Sequence, residues 1–175
     1  MQIIAHGLST PALFLLAGSI QERCHTRELT RLGGLWQTAP RLSGFVIFFA
    51  LTALGLPGLV NFVGEFLILL AAYQSHLILA IMGSLGFVFS VIYALRLVQE
   101  SVYGPNLNKW SISDLTIRET ASLGVLVAIV LTLGLWPRPI FIMARASLSP
   151  VKQALSNRAK VVSPLDRDEQ GGKLP

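Results

Sequence analysis

The sequence predicts an all-α fold, a polytopic membrane bundle of about four transmembrane helices whose second helix is broken. Hydrophobic residues make up 53% of the 175 residues and charged residues only 13%, roughly half the charged fraction of a soluble domain. The apolar residues also lie in blocks long enough to cross a bilayer, and the charged residues lie between and after these blocks. Because basic and acidic residues alternate in the loops, the net charge of +5 does not indicate nucleic-acid binding.

The N-terminal half predicts one complete span and one interrupted span. The first apolar block covers 2–20 and is followed by a charged loop over 21–41. The second block, 42–73, is longer than one straight span needs and contains Pro57 and Gly58. Proline removes a backbone donor and clashes with the preceding turn of a helix. We therefore predict that this span breaks near residue 57 into two half-helices.

The C-terminal half predicts two more spans, over 76–98 and 121–136, so that the membrane domain covers 1–136. Residues 137–156 repeat apolar side chains at helical spacing with basic ones between them, which predicts an amphipathic segment on the membrane surface. The polar residues 157–175 predict a disordered tail.

Arginine is concentrated in the two larger loops of the membrane domain, 21–41 and 100–120. Positively charged loops stay in the cytoplasm during insertion. With about four spans, these two loops also lie on the same side of the bilayer. We predict a multi-pass protein of the bacterial inner membrane with both loops in the cytoplasm.

Glu65 is the residue that points most directly to function. It lies inside an apolar block, shortly after the predicted break at Pro57 and Gly58. A carboxyl group in hydrocarbon is costly, so such residues face a bundle interior or a wet cavity and often carry protons. Broken helices at membrane depth also mark ion sites in transporters. Two alternatives stay open: a purely structural carboxyl, and a bend required only for packing.

Four more polar residues support this hypothesis. Asn61 precedes Glu65 by one helical turn and could help to solvate it. In the first span, His6, Ser9 and Thr10 are expected to share one face of the helix. Histidine exchanges protons near neutral pH and can relay them through its two nitrogens. The alternative for His6 is a hydrogen bond that serves only packing.

No residue pattern indicates a cofactor or a metal ion. Cys24 is the one cysteine, which excludes an intrachain disulfide and an iron–sulfur cluster held by this chain alone. No histidines or cysteines have metal-ligand spacing, and no glycine-rich phosphate loop is present. We therefore expect no flavin, NADH or quinone chemistry within the chain itself.

Six motifs stand out in the first 66 residues: Ala5-His6-Gly7-Leu8-Ser9, Gln21-Glu22-Arg23, His25-Thr26-Arg27, Gly33-Gly34-Leu35-Trp36, Gly55-Leu56-Pro57-Gly58 and Asn61-Phe62-Val63-Gly64-Glu65-Phe66. Together they closely resemble subunit M of bacterial NADH–quinone oxidoreductase (complex I), whose mitochondrial counterpart is complex I subunit 4. The resemblance is strong to about residue 104, loose over the fourth span and absent in the tail. A carboxylate in the broken helix favours subunit M over sister subunits, which usually carry lysine there.

The resemblance implies the C-terminal part of an antiporter-like, proton-translocating subunit. It places His6 and Glu65 on the family's hydrophilic axis, which runs along the membrane. It also implies that the chain's partners are the other membrane subunits of complex I and the lipid bilayer. The family's upstream charged residues have no counterpart here, so the chain is expected to be a fragment or a truncated reading frame. Alternatives are a subunit of a cation/proton antiporter or membrane hydrogenase, and an inactive remnant.

Overall fold

The computed structural model describes residues 1–29, 31–145 and 149–150, and every regular element in that part of the chain is an α-helix. The predicted all-α class is confirmed. A first unit, Met1–Pro137, is described separately from a second unit, Arg138–Pro175. The helices of the first unit are α1 (Gln2–Cys24), α2 (Leu35–Thr38), α3 (Pro40–Ala53), α4 (Val60–Ser75), α5 (Leu77–Ser101) and α6 (Ile117–Leu135).

Three of these helices, α1, α5 and α6, are long and apolar enough to cross a membrane. The apolar helices α3 and α4 have 14 and 16 residues, whereas a straight span needs about 20. They replace the predicted broken span and are separated by residues 54–59. Within this break, Gly55 has φ +63° and Gly58 has φ +95°. Residues with a side chain rarely adopt this left-handed region, so the glycines, together with Pro57, fix the break.

The helices extend beyond several predicted boundaries. The first span continues to Cys24 instead of ending at 20, and the third continues to Ser101 instead of 98. The last begins at Ile117, not at 121. Thr116 caps it, because its hydroxyl accepts from the Glu119 N–H and the Glu119 carboxylate accepts from the Thr116 N–H. This reciprocal cap is the T-x-x-E capping box, which is visible in the sequence as Thr-Ile-Arg-Glu.

Arg23 belongs to α1 rather than to the predicted loop, and it joins α1 to α6. Its guanidinium pairs with both carboxylate oxygens of Glu119 at 2.9 and 3.1 Å and donates to the carbonyls of Ser113 and Ser19. The side chains are only 12% and 33% exposed. This network explains why the helix continues past residue 20, since the polar side chains of its last turn find partners.

We expect Arg23→Met to destabilise the purified protein by about 2–3 kcal/mol, because it leaves a partly buried carboxylate without its cation. The matched control is Arg31→Met. Arg31 pairs with Glu28, but both side chains are more than 60% exposed, so its loss should cost less than about 1 kcal/mol. Thermal unfolding in detergent measures both, and equal midpoints would contradict the expectation.

The two larger loops were predicted to share one side of the membrane, and they contact each other at one end of the first unit. The backbone N–H of Trp36 donates to the Val102 carbonyl, and the Trp110 indole donates to the Arg31 carbonyl. These contacts hold the segment after α1 against the segment after α5. The shared side of the two loops is therefore built into the fold, while the cytoplasmic orientation stays a prediction.

Asp114 in the second of these loops caps the N-terminus of α3. Its carboxylate accepts from the backbone N–H groups of Arg41 and Leu42 at 2.9 and 3.0 Å. Burial alone would raise the pKa of Asp114, but these bonds, a third from the Leu115 N–H and the charge of Arg41 outweigh it and lower the pKa. The ionised carboxylate thus supplies the negative charge that a helix N-terminus favours.

In the second unit, residues 138–145 and 149–150 are helical. This part of the chain was predicted as the amphipathic segment 137–156. The remainder of that segment, and the whole of the tail 157–175 that was predicted to be disordered, lie outside the described residues.

Candidate functional site at the helix break

Glu65 lies on the second turn of α4, and its carboxyl group points back toward the break. The carboxyl oxygen Oε1 accepts a hydrogen bond of 3.5 Å from the side-chain amide Nε2 of Gln2 on α1. The other oxygen, Oε2, is buried and has no hydrogen-bond donor among the described residues. No salt bridge in the described part of the chain involves Glu65. Among the described residues, the carboxyl group is therefore held by one neutral hydrogen bond and by no salt bridge.

Two glycines create the space for this arrangement. A side chain at Gly55 would overlap the Glu65 carboxylate. The carboxyl group therefore packs directly against the backbone of the break. A Cβ at Gly64 would lie 2.9 Å from the Cα and 3.0 Å from the N of Gln2. The backbones of α1 and α4 thus approach each other closely at Gly64. Both glycines are needed to bring Gln2, Glu65 and the break together.

A second polar contact between the same helices lies deeper in the first unit. The side-chain amide of Asn61 donates to the Ser9 hydroxyl at 3.3 Å, and that hydroxyl donates to the Ala5 carbonyl at 3.1 Å. Ser9 and Asn61 are 1% and 2% exposed. Asn61 therefore binds Ser9 rather than Glu65, and its oxygen Oδ1 has no donor among the described residues.

Of the three residues expected to share one face of α1, His6 and Thr10 lie together, whereas Ser9 packs toward α4. Ser9 faces α4, whereas the Thr10 hydroxyl lies 3.2 Å from the ring nitrogens of exposed His6. The side chains are only three and four residues apart, but packing against α4 places Ser9 on the buried side of α1. His6 makes no hydrogen bond to Glu65; its ring nitrogens contact the Thr10 hydroxyl instead.

The structure adds three residues to the site that sequence analysis did not identify: Gln2, Gly55 and Gly64. Gln2 is the polar residue one turn before His6, a signal that was available in the sequence. The two glycines gave no such signal, because only the approach of another element shows what a glycine accommodates. The resulting arrangement suits a carboxyl group that gains and loses a proton. Across residues 1–29, 31–145 and 149–150, no cluster of His, Cys, Asp or Glu could hold a metal ion.

Comparison with known proteins identifies a family for this chain. The family model described as "NADH:quinone oxidoreductase/Mrp antiporter, TM" matches residues 1–92. The match covers more than half of the chain and includes α1, the break and α4. All the polar residues of the site therefore lie within the matched region.

Individual relatives indicate the same family. Subunit M of NADH-quinone oxidoreductase from Pseudomonas aeruginosa is 40% identical over 155 residues, which are 89% of this chain and 30% of the relative. The Escherichia coli K12 protein of the same name is 34% identical over 167 residues, 94% of this chain and 33% of the relative. The chain thus spans about a third of the length of these relatives.

A solved structure, respiratory complex I from Thermus thermophilus with bound NADH, contains a similar chain. The TM-score is 0.70 at 36% sequence identity, covering 76% of this chain and 28% of that one. The apolar helices, the family match and this structural similarity agree. The chain is an integral, multi-pass membrane protein that belongs to the NADH:quinone oxidoreductase/Mrp antiporter transmembrane family.

Proposed function

We propose that this chain forms part of an antiporter-like subunit of a proton-translocating NADH–quinone oxidoreductase in the bacterial inner membrane. In this proposal its membrane partners are the other subunits of that complex. Redox chemistry takes place in those subunits, and this chain contributes a protonatable group to the proton path. The relatives support the assignment, since both subunit M proteins match nearly the whole of this chain.

The observation that carries the proposal is the environment of Glu65. Its carboxyl group lies at a break in a membrane helix, with one neutral hydrogen bond and no cation in contact among the described residues. A structural carboxylate at this depth would be expected to pair with a basic side chain. A nearby cation would favour the ionised carboxylate, so a carboxyl group without one is easier to protonate. This is the property that a proton-transfer group needs.

The family that matches the chain also includes Mrp antiporters, so cation/proton exchange is the second candidate. Both functions use a membrane carboxyl group, and the geometry of Glu65 does not separate them. The subunit M relatives favour the oxidoreductase. The proteins that assemble with the chain distinguish the two candidates directly.

Co-purification tests this assignment. The chain is tagged at its C-terminus in its native host, extracted in mild detergent and purified. We expect it to carry with it other membrane subunits and NADH-dependent quinone reductase activity. Reconstituted vesicles should acidify their lumen when NADH is added. Sodium/proton exchange without NADH oxidation would replace the proposal with the antiporter, and a chain that purifies without any partner would support an inactive remnant.

A further inference from the structure

Gln2 is the residue that supplies the hydrogen bond to Glu65. Its Nε2 donates to Glu65 Oε1 at 3.5 Å, which is long for a hydrogen bond. The other amide atom, Gln2 Oε1, is buried and has no donor among the described residues, as is true of Glu65 Oε2. One hydrogen bond is therefore made, while an acceptor oxygen on each side chain is left unpaired. Buried unpaired polar atoms in a native fold require an explanation.

The chemistry of the two groups provides one. An ionised carboxylate only accepts hydrogen bonds, whereas a protonated carboxyl group also has an O–H to donate. A glutamine amide contains both a donor and an acceptor, and a half-turn about its last bond exchanges them. Gln2 can therefore donate to ionised Glu65 and, after reversal, accept from the protonated form. Few neutral side chains can serve both states from one position.

Gly64 leaves the space in which the Gln2 amide lies, because a Cβ there would overlap Gln2 Oε1. The α1 backbone at Gln2 rests against α4 at Gly64, where a Cβ would meet the Gln2 N and Cα at 3.0 and 2.9 Å. This contact fixes the start of the side chain. The Glu65 carboxyl group is in turn placed by the lack of a side chain at Gly55. Because the oxygen and the nitrogen of an amide are of similar size, a half-turn about the last bond of Gln2 exchanges them within this space and moves neither helix.

We propose that Gln2 is a positioning residue whose amide reverses each time Glu65 gains or loses a proton, so that Glu65 keeps one hydrogen-bond partner throughout. The inference rests on the proposed role of Glu65 in proton transfer. A proton binds a Glu65 oxygen and an O–H bond forms; the same bond breaks when the proton leaves. Gln2 exchanges hydrogen bonds only and does not itself carry the proton.

The test uses the assembled complex with Gln2→Met, which keeps the length of the side chain but cannot donate. Infrared difference spectroscopy records the C=O stretch of protonated Glu65, assigned by its loss in Glu65→Gln. In Gln2→Met we expect this band at higher wavenumber, because the hydrogen bond is gone, and proton pumping lowered about tenfold. The control is Gln74→Met, at an exposed position on the same helix as Glu65; its band and pumping should equal those of the unmodified complex.

Gln2→His separates the proposal from a structural role. Histidine also has one donor and one acceptor nitrogen, so this variant should recover at least half of the pumping rate. An assembled Gln2→His variant that pumps no better than Gln2→Met would overturn the proposal. An unshifted Glu65 band in Gln2→Met would overturn it as well. Normal pumping in Glu65→Gln would instead reject the proton-transfer role of Glu65, which is a separate outcome.

Discussion

Glu65→Gln should assemble normally and lose proton pumping and NADH-dependent quinone reduction together, each by at least about tenfold. A positioned proton-transfer group typically contributes about 100-fold or more to a rate, and glutamine cannot bind the proton. The substitution keeps the size and polarity of the side chain, and no cation in contact with Glu65 among the described residues loses its partner. The two activities fall together because a tightly coupled pump cannot run its redox reaction alone.

The measurement is made on one preparation of membranes, with subunit content, pumping and quinone reduction recorded side by side. Glu65→Asp should retain part of both activities, since it keeps the carboxyl group but shortens its reach. The control is Glu28→Gln, which removes a carboxylate that is 61% exposed and should change neither activity. If Glu65 were purely structural, the glutamine variant would assemble poorly, and whatever assembled would pump normally. That result would remove Glu65 from the proton path.

Gly55→Ala should also impair pumping severely, although Gly55 has no side chain of its own. The added Cβ would overlap the Glu65 carboxylate, which is the flexible end of a side chain and can be displaced. The left-handed φ of +63° adds about 1–2 kcal/mol of strain for any residue with a Cβ. We therefore expect a complex that assembles with modestly lower stability and pumps at less than about a third of the normal rate, because Glu65 is misplaced.

A double variant distinguishes displacement of Glu65 from simple loss of stability. Aspartate is one methylene shorter, so Glu65→Asp should relieve the overlap created by Gly55→Ala. The combined effect on pumping should then be smaller than the two single effects predict together. Gly44→Ala is the matched control on α3, where a Cβ would have nothing within 4 Å; it should be silent. Strictly additive effects in the double variant would contradict the proposed displacement.

Much of the architecture could be predicted from local sequence. Apolar blocks and the charges between them predict helices and loops because hydrocarbon excludes charge and requires every backbone polar group to be bonded. Pro57 and Gly58 locate the break because each alters the backbone itself. The helix ends were less predictable. The end at Cys24 depends on the ion pair between Arg23 and Glu119, which is distant in sequence. The start at Ile117, in contrast, has a local signal in the capping box of Thr116 and Glu119.

The helical class, the break and the selection of Glu65 as a candidate follow from local sequence, because each depends on the chemistry of a residue and its immediate neighbours. The surroundings of Glu65 depend on tertiary packing. Gln2 reaches it from another helix, Gly55 and Gly64 leave the room for that approach, and Ser9 turns away from His6 to meet Asn61. These contacts depend on how α1, the break and α4 pack in three dimensions, and residue spacing along one helix carries no information about the element that packs against it.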